Sequence, residues 1–365
     1  MTDKKAKKLD LSITNETVFS FVKTFIAILI ALAITFVVLC VVSKNPVNAF
    51  ITILTGALRK TRYIGLVLER TVPYTFAGLA CGLLFKAGFF NLGAEGIFVM
   101  SSLIISIVAI NPITTSPILH PLIAIVCGAL VGGVLMLIPA YFKAKFNANE
   151  LVISLMLNSI YVAIATYVVR NYFLSQSTSL IATPTFLETA TIGYIIDKYH
   201  VSIMFILMLI AVIGLQFVLK KTKFGYQVRL AGTNPNFAEY SGIDSFKLAM
   251  KTNFIAGMLA GIGSAAQILT QASNFQPSTT VTNIGFTGSL LAMLGRNNPI
   301  GILVSTFFIK YLEQGTSVLY YNDTSVPSEI IAIVQGVVVL LVSSQYFLKK
   351  FREKKLLQEG LNEHE

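Results

Sequence analysis

The sequence predicts an all-α integral membrane protein that crosses the bilayer about ten times. Three observations carry this. The chain is 55% hydrophobic and 12% charged, with a mean hydropathy of +0.73, whereas soluble domains carry roughly 25% charged residues. Its apolar residues sort into runs of helical spanning length. Its basic residues gather at the ends of those runs and in both tails, so the net charge of +11 reads as membrane topology and not as a nucleic-acid stripe. The first apolar run is too long for a signal-peptide core, so no cleavable leader is expected.

Taken in order, residues 1–23 form a Lys-rich tail placed in the cytoplasm, and residues 24–347 form the transmembrane domain. Spans are expected at Thr24–Val42, Tyr63–Phe85, Phe89–Ile110, Ile118–Phe142 and Leu151–Val169. They continue at Val201–Leu219, Thr252–Gln271, Val281–Leu294, Ile300–Leu312 and Glu329–Phe347. Lys44–Arg62 alternates apolar and polar residues and reads as a helix lying on the outer surface. Arg170–His200 is an outer connection with a short helix near Pro184–Ala190. Residues 348–365 return to the cytoplasm. Ala77–Gly82 and Ala256–Gly261 share the pattern AGxxxG, which suits either an inverted repeat or ordinary close helix packing.

The chemistry begins with absences. There is no GxxxxGK[ST] phosphate loop and no HExxH, and His120, His200 and His364 are scattered. Cys40, Cys81 and Cys127 lie in apolar runs without metal-ligand spacing. No catalytic set, metal site or cofactor is expected, and any ATP-driven transport requires a separate ATPase chain. The positive signal is polar residues at membrane depth, each costly there. Asn91 and Glu95 flank Gly93 in Phe89–Gly96 and read as part of a permeation path or as a tight turn with Asn91 capping a helix. Glu150, Ser154 and Asn158 fall at i, i+4 and i+8 on one helix face. That stripe either lines a route or hydrogen-bonds a neighbouring helix. Asn253, Gln267 and Gln271 make a looser set, and Lys310 and Glu313 read as an ion pair.

One polar stretch interrupts the apolar runs, residues 220–250. Its Lys220, Lys221, Lys223, Arg229, Lys247 and Lys251 place it in the cytoplasm. Gly225, Gly232 and Gly242 punctuate short helical pieces, and Asn234-Pro235 opens a helix over about Pro235–Tyr240. A chain with one structured cytoplasmic loop and no soluble domain is expected to hand that loop to a partner. Leu294–Gly301 reads as a tight turn, with Gly295 ending one helix and Pro299 opening the next.

At these motifs the chain resembles the membrane-spanning permeases of ABC importers for simple sugars, nucleosides and branched-chain amino acids. The resemblance runs over Thr71–Phe347. It rests on Phe90–Gly96, on Asn149–Ser154 with Met156–Asn158, and on Gly285-Phe286 followed by Leu294–Pro299. It rests too on Gly225, Arg229, Gly232, Asn234, Ala238, Gly242 and Ile243, which it implies couple the chain to the ATPase. The forms at Phe90–Gly96 and Leu294–Pro299 are most similar to the nucleoside-uptake branch. Ile97 stands where that branch often has Gln, and Phe237-Ala238 where it has paired alanines.

The resemblance implies a type II, BtuC-like architecture with inverted-repeat halves in the plasma membrane of a bacterium. Its implied partners are a cytoplasmic ATPase, a second permease, a lipid-anchored solute-binding protein and membrane lipids, with no nucleic acid. Asn91, Glu95, Glu150, Ser154, Asn158 and Gln267 are the expected translocation-path residues. Nucleosides are the expected solute. A simple sugar such as ribose or a branched-chain amino acid is the alternative within the family, and an ion-gradient-driven carrier the alternative outside it.

Overall fold

A computed structural model describes residues 30, 32–41, 43, 45–176, 180–196, 201–278, 283–322 and 336. The expected tails, the span Glu329–Phe347 apart from residue 336, and the first part of the span Thr24–Val42 lie outside the described residues. The chain divides into two compact units, Thr61–Lys310 and, separately, Met1–Lys60 with Tyr311–Glu365.

The larger unit is almost entirely helical. Its helices are α3 (Thr61–Lys86), α4 (Ala94–Ile110), α5 (Leu119–Phe146), α6 (Glu150–Tyr172) and α7 (Ile203–Lys221). They continue with α8 (Lys223–Thr233), α9 (Pro235–Tyr240), α10 (Ser245–Gln271), α11 (Ile284–Leu294) and the part of α12 (Pro299–Asn322) up to Lys310, the rest of α12 belonging to the smaller unit. A two-stranded antiparallel ladder, β1 (Tyr194–Ile196) with β2 (Val201–Ser202), precedes α7. In the smaller unit, α1 (Leu32–Val41) is followed by α2 (Pro46–Thr55) and a 3₁₀ turn. The helix expected within Lys44–Arg62 is therefore present, and it buries Ala49, Thr52 and Ile53. Tyr311 donates from its hydroxyl to the Leu54 carbonyl.

Among the described residues, α5, α6, α7 and α10 are long and apolar enough to cross a membrane. Helix α3, with 26 residues, is about 39 Å long at 1.5 Å per residue. Helix α11 is different. Its 11 residues reach about 16 Å, half of a ~30 Å hydrocarbon core, so the expected span Val281–Leu294 is a half-helix.

The centre of the larger unit is built on close backbone approach. A Cβ added at Gly132 of α5 would lie 2.4 Å from the Gly257 carbonyl oxygen of α10, and one at Gly261 would lie 2.3 Å from that of Gly128. Small residues four apart thus let α5 and α10 touch, as in other transmembrane pairs. Gly78 and Gly82 of α3 give the same freedom toward Ile302 of α12. Both AGxxxG stretches therefore lie at helix crossings. Gln271 at the end of α10 donates to the Glu69 carbonyl near the start of α3 (3.0 Å), and Gly263 meets Phe76. Helices α3 and α10 accordingly run antiparallel.

Four expectations are corrected. Helix α4 begins at Ala94, leaving Phe89–Gly93 outside any helix. Helix α10 starts at Ser245, seven residues ahead of the apolar run, because Asp244 caps it by accepting from the Lys247 amide. No helix forms over Pro184–Ala190. Instead Thr183, Phe186 and Leu187 donate backbone bonds to Phe275, Ser273 and Ala109, closing one end of α4 and α10. Gly225 and Gly232 lie inside the continuous helix α8 rather than separating helical pieces.

Candidate functional site

The irregular segment between α3 and α4 carries backbone groups that need partners in apolar surroundings. Side chains of α6 provide them. The Leu92 amide donates to Ser154 Oγ (3.2 Å), and Asn158 Nδ2 donates to the Leu92 carbonyl (3.0 Å). The Gly96 amide donates to Asn158 Oδ1 (2.9 Å). Gly96 is required for this approach, since a Cβ there would sit 2.9 Å from the Asn158 Cα. Of the two readings of the Glu150, Ser154 and Asn158 stripe, hydrogen bonding to a neighbour describes Ser154 and Asn158.

Asn91 is fully buried. Its Oδ1 accepts from the Gly93 amide (2.7 Å), and its Nδ2 donates to Asn253 Oδ1 on α10 (3.1 Å). It thus turns the chain toward α4, although the N-cap itself is Gly93. Glu150 opens α6 behind the cap residue Asn149 and faces the Asn91 amide. Its Oε1 is buried without a hydrogen-bond partner among the described residues. Asn91, Glu150, Ser154, Asn158 and Asn253 therefore form one polar node joining α4, α6 and α10. Gln267 does not belong to it. It lies fourteen residues beyond Asn253 on α10, about 21 Å at 1.5 Å per residue.

Glu95 has a different partner. Its carboxylate accepts from the amides of Asn283 (2.5 Å), Gly285 (2.8 Å) and Phe286 (3.3 Å), the first turn of α11. Helix N-termini leave such amides unpaired and attract negative charge. Asn283 is the cap residue, with φ +65° and no capping side-chain bond, so Glu95 does the capping from another helix. Gly285 makes room, because a Cβ there would lie 2.2 Å from the Glu95 amide nitrogen. The sequence held a signal for this joint: Asn91–Gly96 and Asn283–Gly288 both read Asn-apolar-Gly-x-x-Gly. Glu69 plays a similar part for α7, accepting from the Ser202 amide (3.1 Å) and hydroxyl (3.0 Å).

The polar stretch after α7 is folded. Gly225 lets α8 turn tightly on α7, since a Cβ there would lie 2.2 Å from the Val218 carbonyl oxygen. At Gly232 a Cβ would lie 2.1 Å from the Lys86 carbonyl oxygen, so α8 rests on the last turn of α3. Arg229, between them, has a buried Nη1 with no hydrogen-bond partner among the described residues. Asn234 caps α9 by accepting from the Phe237 amide (3.0 Å), with Pro235 at the first helical position. Ala238 is buried beneath α9. Gly242, at φ +80°, ends the helix while its amide donates to Glu239 and the Ile243 amide donates to Ala238. Ile243 packs against the core. Phe237 and Tyr240 point outward, 54% and 92% exposed.

Residues 63–343 match the sequence profile of the family described as branched-chain amino acid transport system / permease component. The chain belongs to this permease family. The match contains both the node and the folded segment, so each is part of a multi-pass membrane permease. Curated relatives cover nearly all of the chain. The guanosine ABC transporter permease protein NupP of Bacillus subtilis is 26% identical, covering 92% of this chain and 97% of its own. The nucleoside ABC transporter permease protein NupB of Lactococcus lactis is 25% identical, covering 89% and 91%. The glucose ABC transporter permease protein TsgB13 of Haloferax volcanii is 28% identical, covering 90% and 88%. No solved structure matches the chain.

Proposed function

We propose that this permease is the membrane-spanning subunit of an ATP-driven importer for nucleosides. The observation that carries the solute is the match, over about nine-tenths of the chain, to permeases named for guanosine and for nucleosides. The glucose permease relative favours a simple sugar as the second reading. About ten spans and a type II, inverted-repeat plan suit the two AGxxxG crossings, the antiparallel α3–α10 pair and the recurrent Asn-apolar-Gly-x-x-Gly openings.

Coupling to a separate ATPase is assigned to α8 and α9 on the cytoplasmic side. The exposed Phe237 and Tyr240 offer an aromatic surface to a partner, and the caps at Asn234 and Gly242 fix the helix that bears them. Displacement of α9 passes to α8 and then, through the backbone contact of Gly232 with Lys86, to the segment that holds Asn91. From there the node reaches α6 and α10, and Glu95 reaches α11. Asn91, Glu95, Glu150, Ser154 and Asn158 then act by repositioning path-lining helices, while Gln267 stands apart on α10. A second permease and an external binding protein complete the importer.

The test is reconstitution of this chain with its ATPase, second permease and binding protein in proteoliposomes. Nucleoside-dependent ATP hydrolysis and uptake are expected. Hydrolysis responding to glucose or ribose and not to nucleosides would move the solute, and no solute response at all would sink the importer reading.

A further inference from the structure

We propose that the end of α7 and the start of α8 form a binding site for the phosphate headgroup of an anionic phospholipid. Two independent features meet there. The first is an uncovered apolar stripe on α7: Ile203, Ile206, Ile210, Ile213 and Phe217 are 55%, 48%, 60%, 67% and 61% exposed. Their spacing of three and four residues puts them on one helix face. The next positions on that face are Lys220 and Lys221, so a hydrocarbon chain lying along the stripe ends beside two ammonium groups.

The second feature is a depression of about 620 Å³ at that point, lined by Lys220, Lys221, Lys223, Arg229, Tyr226 and Ser241 among others. The lining contains no carboxylate. Arg229 contributes a buried Nη1 donor without an acceptor among the described residues. Helix α8 opens here where α7 ends, with Thr222 capping both, so the opposed helix ends offset each other and the basic side chains set the local charge. An uncompensated cluster of cations beside an apolar helix face calls for an anion carried on a hydrocarbon chain. Basic clusters next to a membrane helix attract anionic lipid by just this combination. The assignment uses α7 as a membrane-crossing helix and does not depend on the transported solute.

The experiment is competition for the purified chain in mixed micelles, read by native mass spectrometry. Phosphatidylglycerol and phosphatidylcholine of equal chain length are supplied together, with inorganic phosphate in a parallel thermal-protection arm. Phosphatidylglycerol is expected to be retained preferentially. K220Q/K221Q/K223Q is expected to lose about a hundredfold of that preference, at about fivefold per lysine, while K143Q/K145Q at the end of α5 keeps it. Equal retention of the two lipids by the unaltered chain would overturn the proposal even if the triple variant fails to fold. Protection by inorganic phosphate equal to that by the lipid would replace it with a soluble-anion site. Loss of partner co-purification in the triple variant with its lipid preference unchanged would assign the cations to a protein interface instead.

Discussion

Replacing Glu95 tests whether α4 and the start of α11 are tied by one carboxylate. Three backbone amides of α11 converge on it at 2.5, 2.8 and 3.3 Å. A hydrogen bond to a charged acceptor contributes about 1.5–3 kcal/mol, so the two short bonds set a loss of about 3–6 kcal/mol for E95A. E95Q keeps one acceptor oxygen but turns an amide NH₂ toward amide donors, and is expected to lose about 2 kcal/mol. G285A drives a methyl group into the same joint, with its Cβ 2.2 Å from the Glu95 nitrogen, and is expected to behave like E95A. The assay is thermal unfolding of the purified permease, with uptake normalised to the amount inserted. Stability is expected to fall in the order E95Q then E95A, uptake to follow stability, and E95Q with G285A to be less than additive because both act on one contact. An E95A protein that unfolds at the wild-type temperature would refute the capping role, and one that is also inactive would return Glu95 to direct contact with solute.

Three further outcomes follow from the folded segment. G232A places a Cβ 2.1 Å from the Lys86 carbonyl oxygen, so it is expected to separate α8 from α3 and to lower uptake per ATP hydrolysed while insertion persists; an unchanged coupling ratio would remove this contact from the route. At Gly242 nothing lies within 4 Å of an added Cβ, and the constraint is φ +80° alone. G242N is therefore expected to match wild type in uptake, while G242V loses about 1–2 kcal/mol of local stability from a left-handed β-branched residue; equal behaviour of the two in unfolding measurements would contradict this. The Asp244 carboxyl is held below its usual range by the Lys247 backbone amide and then by the Lys247 side chain. Its capping contribution is present above the ordinary carboxyl range near pH 4 and is lost as pH falls through the lowered value. The protection of the Lys247 amide, taken relative to its intrinsic exchange rate at each pH, should fall on that acid side in wild type, and the step should vanish in D244N.

How much was legible depended on whether the deciding contact was local. Helix α9 was readable because Asn234 and Pro235 state a helix start within two residues, and the turn at Leu294–Gly301 because Gly295 and Pro299 bracket it. There the Asn297 amide does close back on Ala292 and Asn298 caps α12 through Ile300. Apolarity alone missed both edges of helices. Phe89 and Phe90 are apolar yet irregular, and Ser245–Lys251 is polar yet helical because its cap lies just ahead of it. The polar stripe on α6 announced a partner without naming it. The Glu95 joint joins residues 188 positions apart, a distance at which periodicity and capping rules say nothing. Gly225 and Gly232 looked like breaks because glycine usually weakens a helix; their reason is the carbonyl that each lets approach.

The central claim, a nucleoside importer driven through this permease, is tested most directly by uptake of labelled guanosine and uridine into cells with and without the gene. Excess adenosine, glucose, ribose or leucine serves as competitor. Deletion is expected to abolish uptake, and adenosine alone is expected to compete. Nucleoside uptake that persists on deletion, with glucose, ribose or leucine uptake lost instead, would contradict the nucleoside assignment; no change in any of the four classes, with redundant transporters removed, would contradict the importer itself.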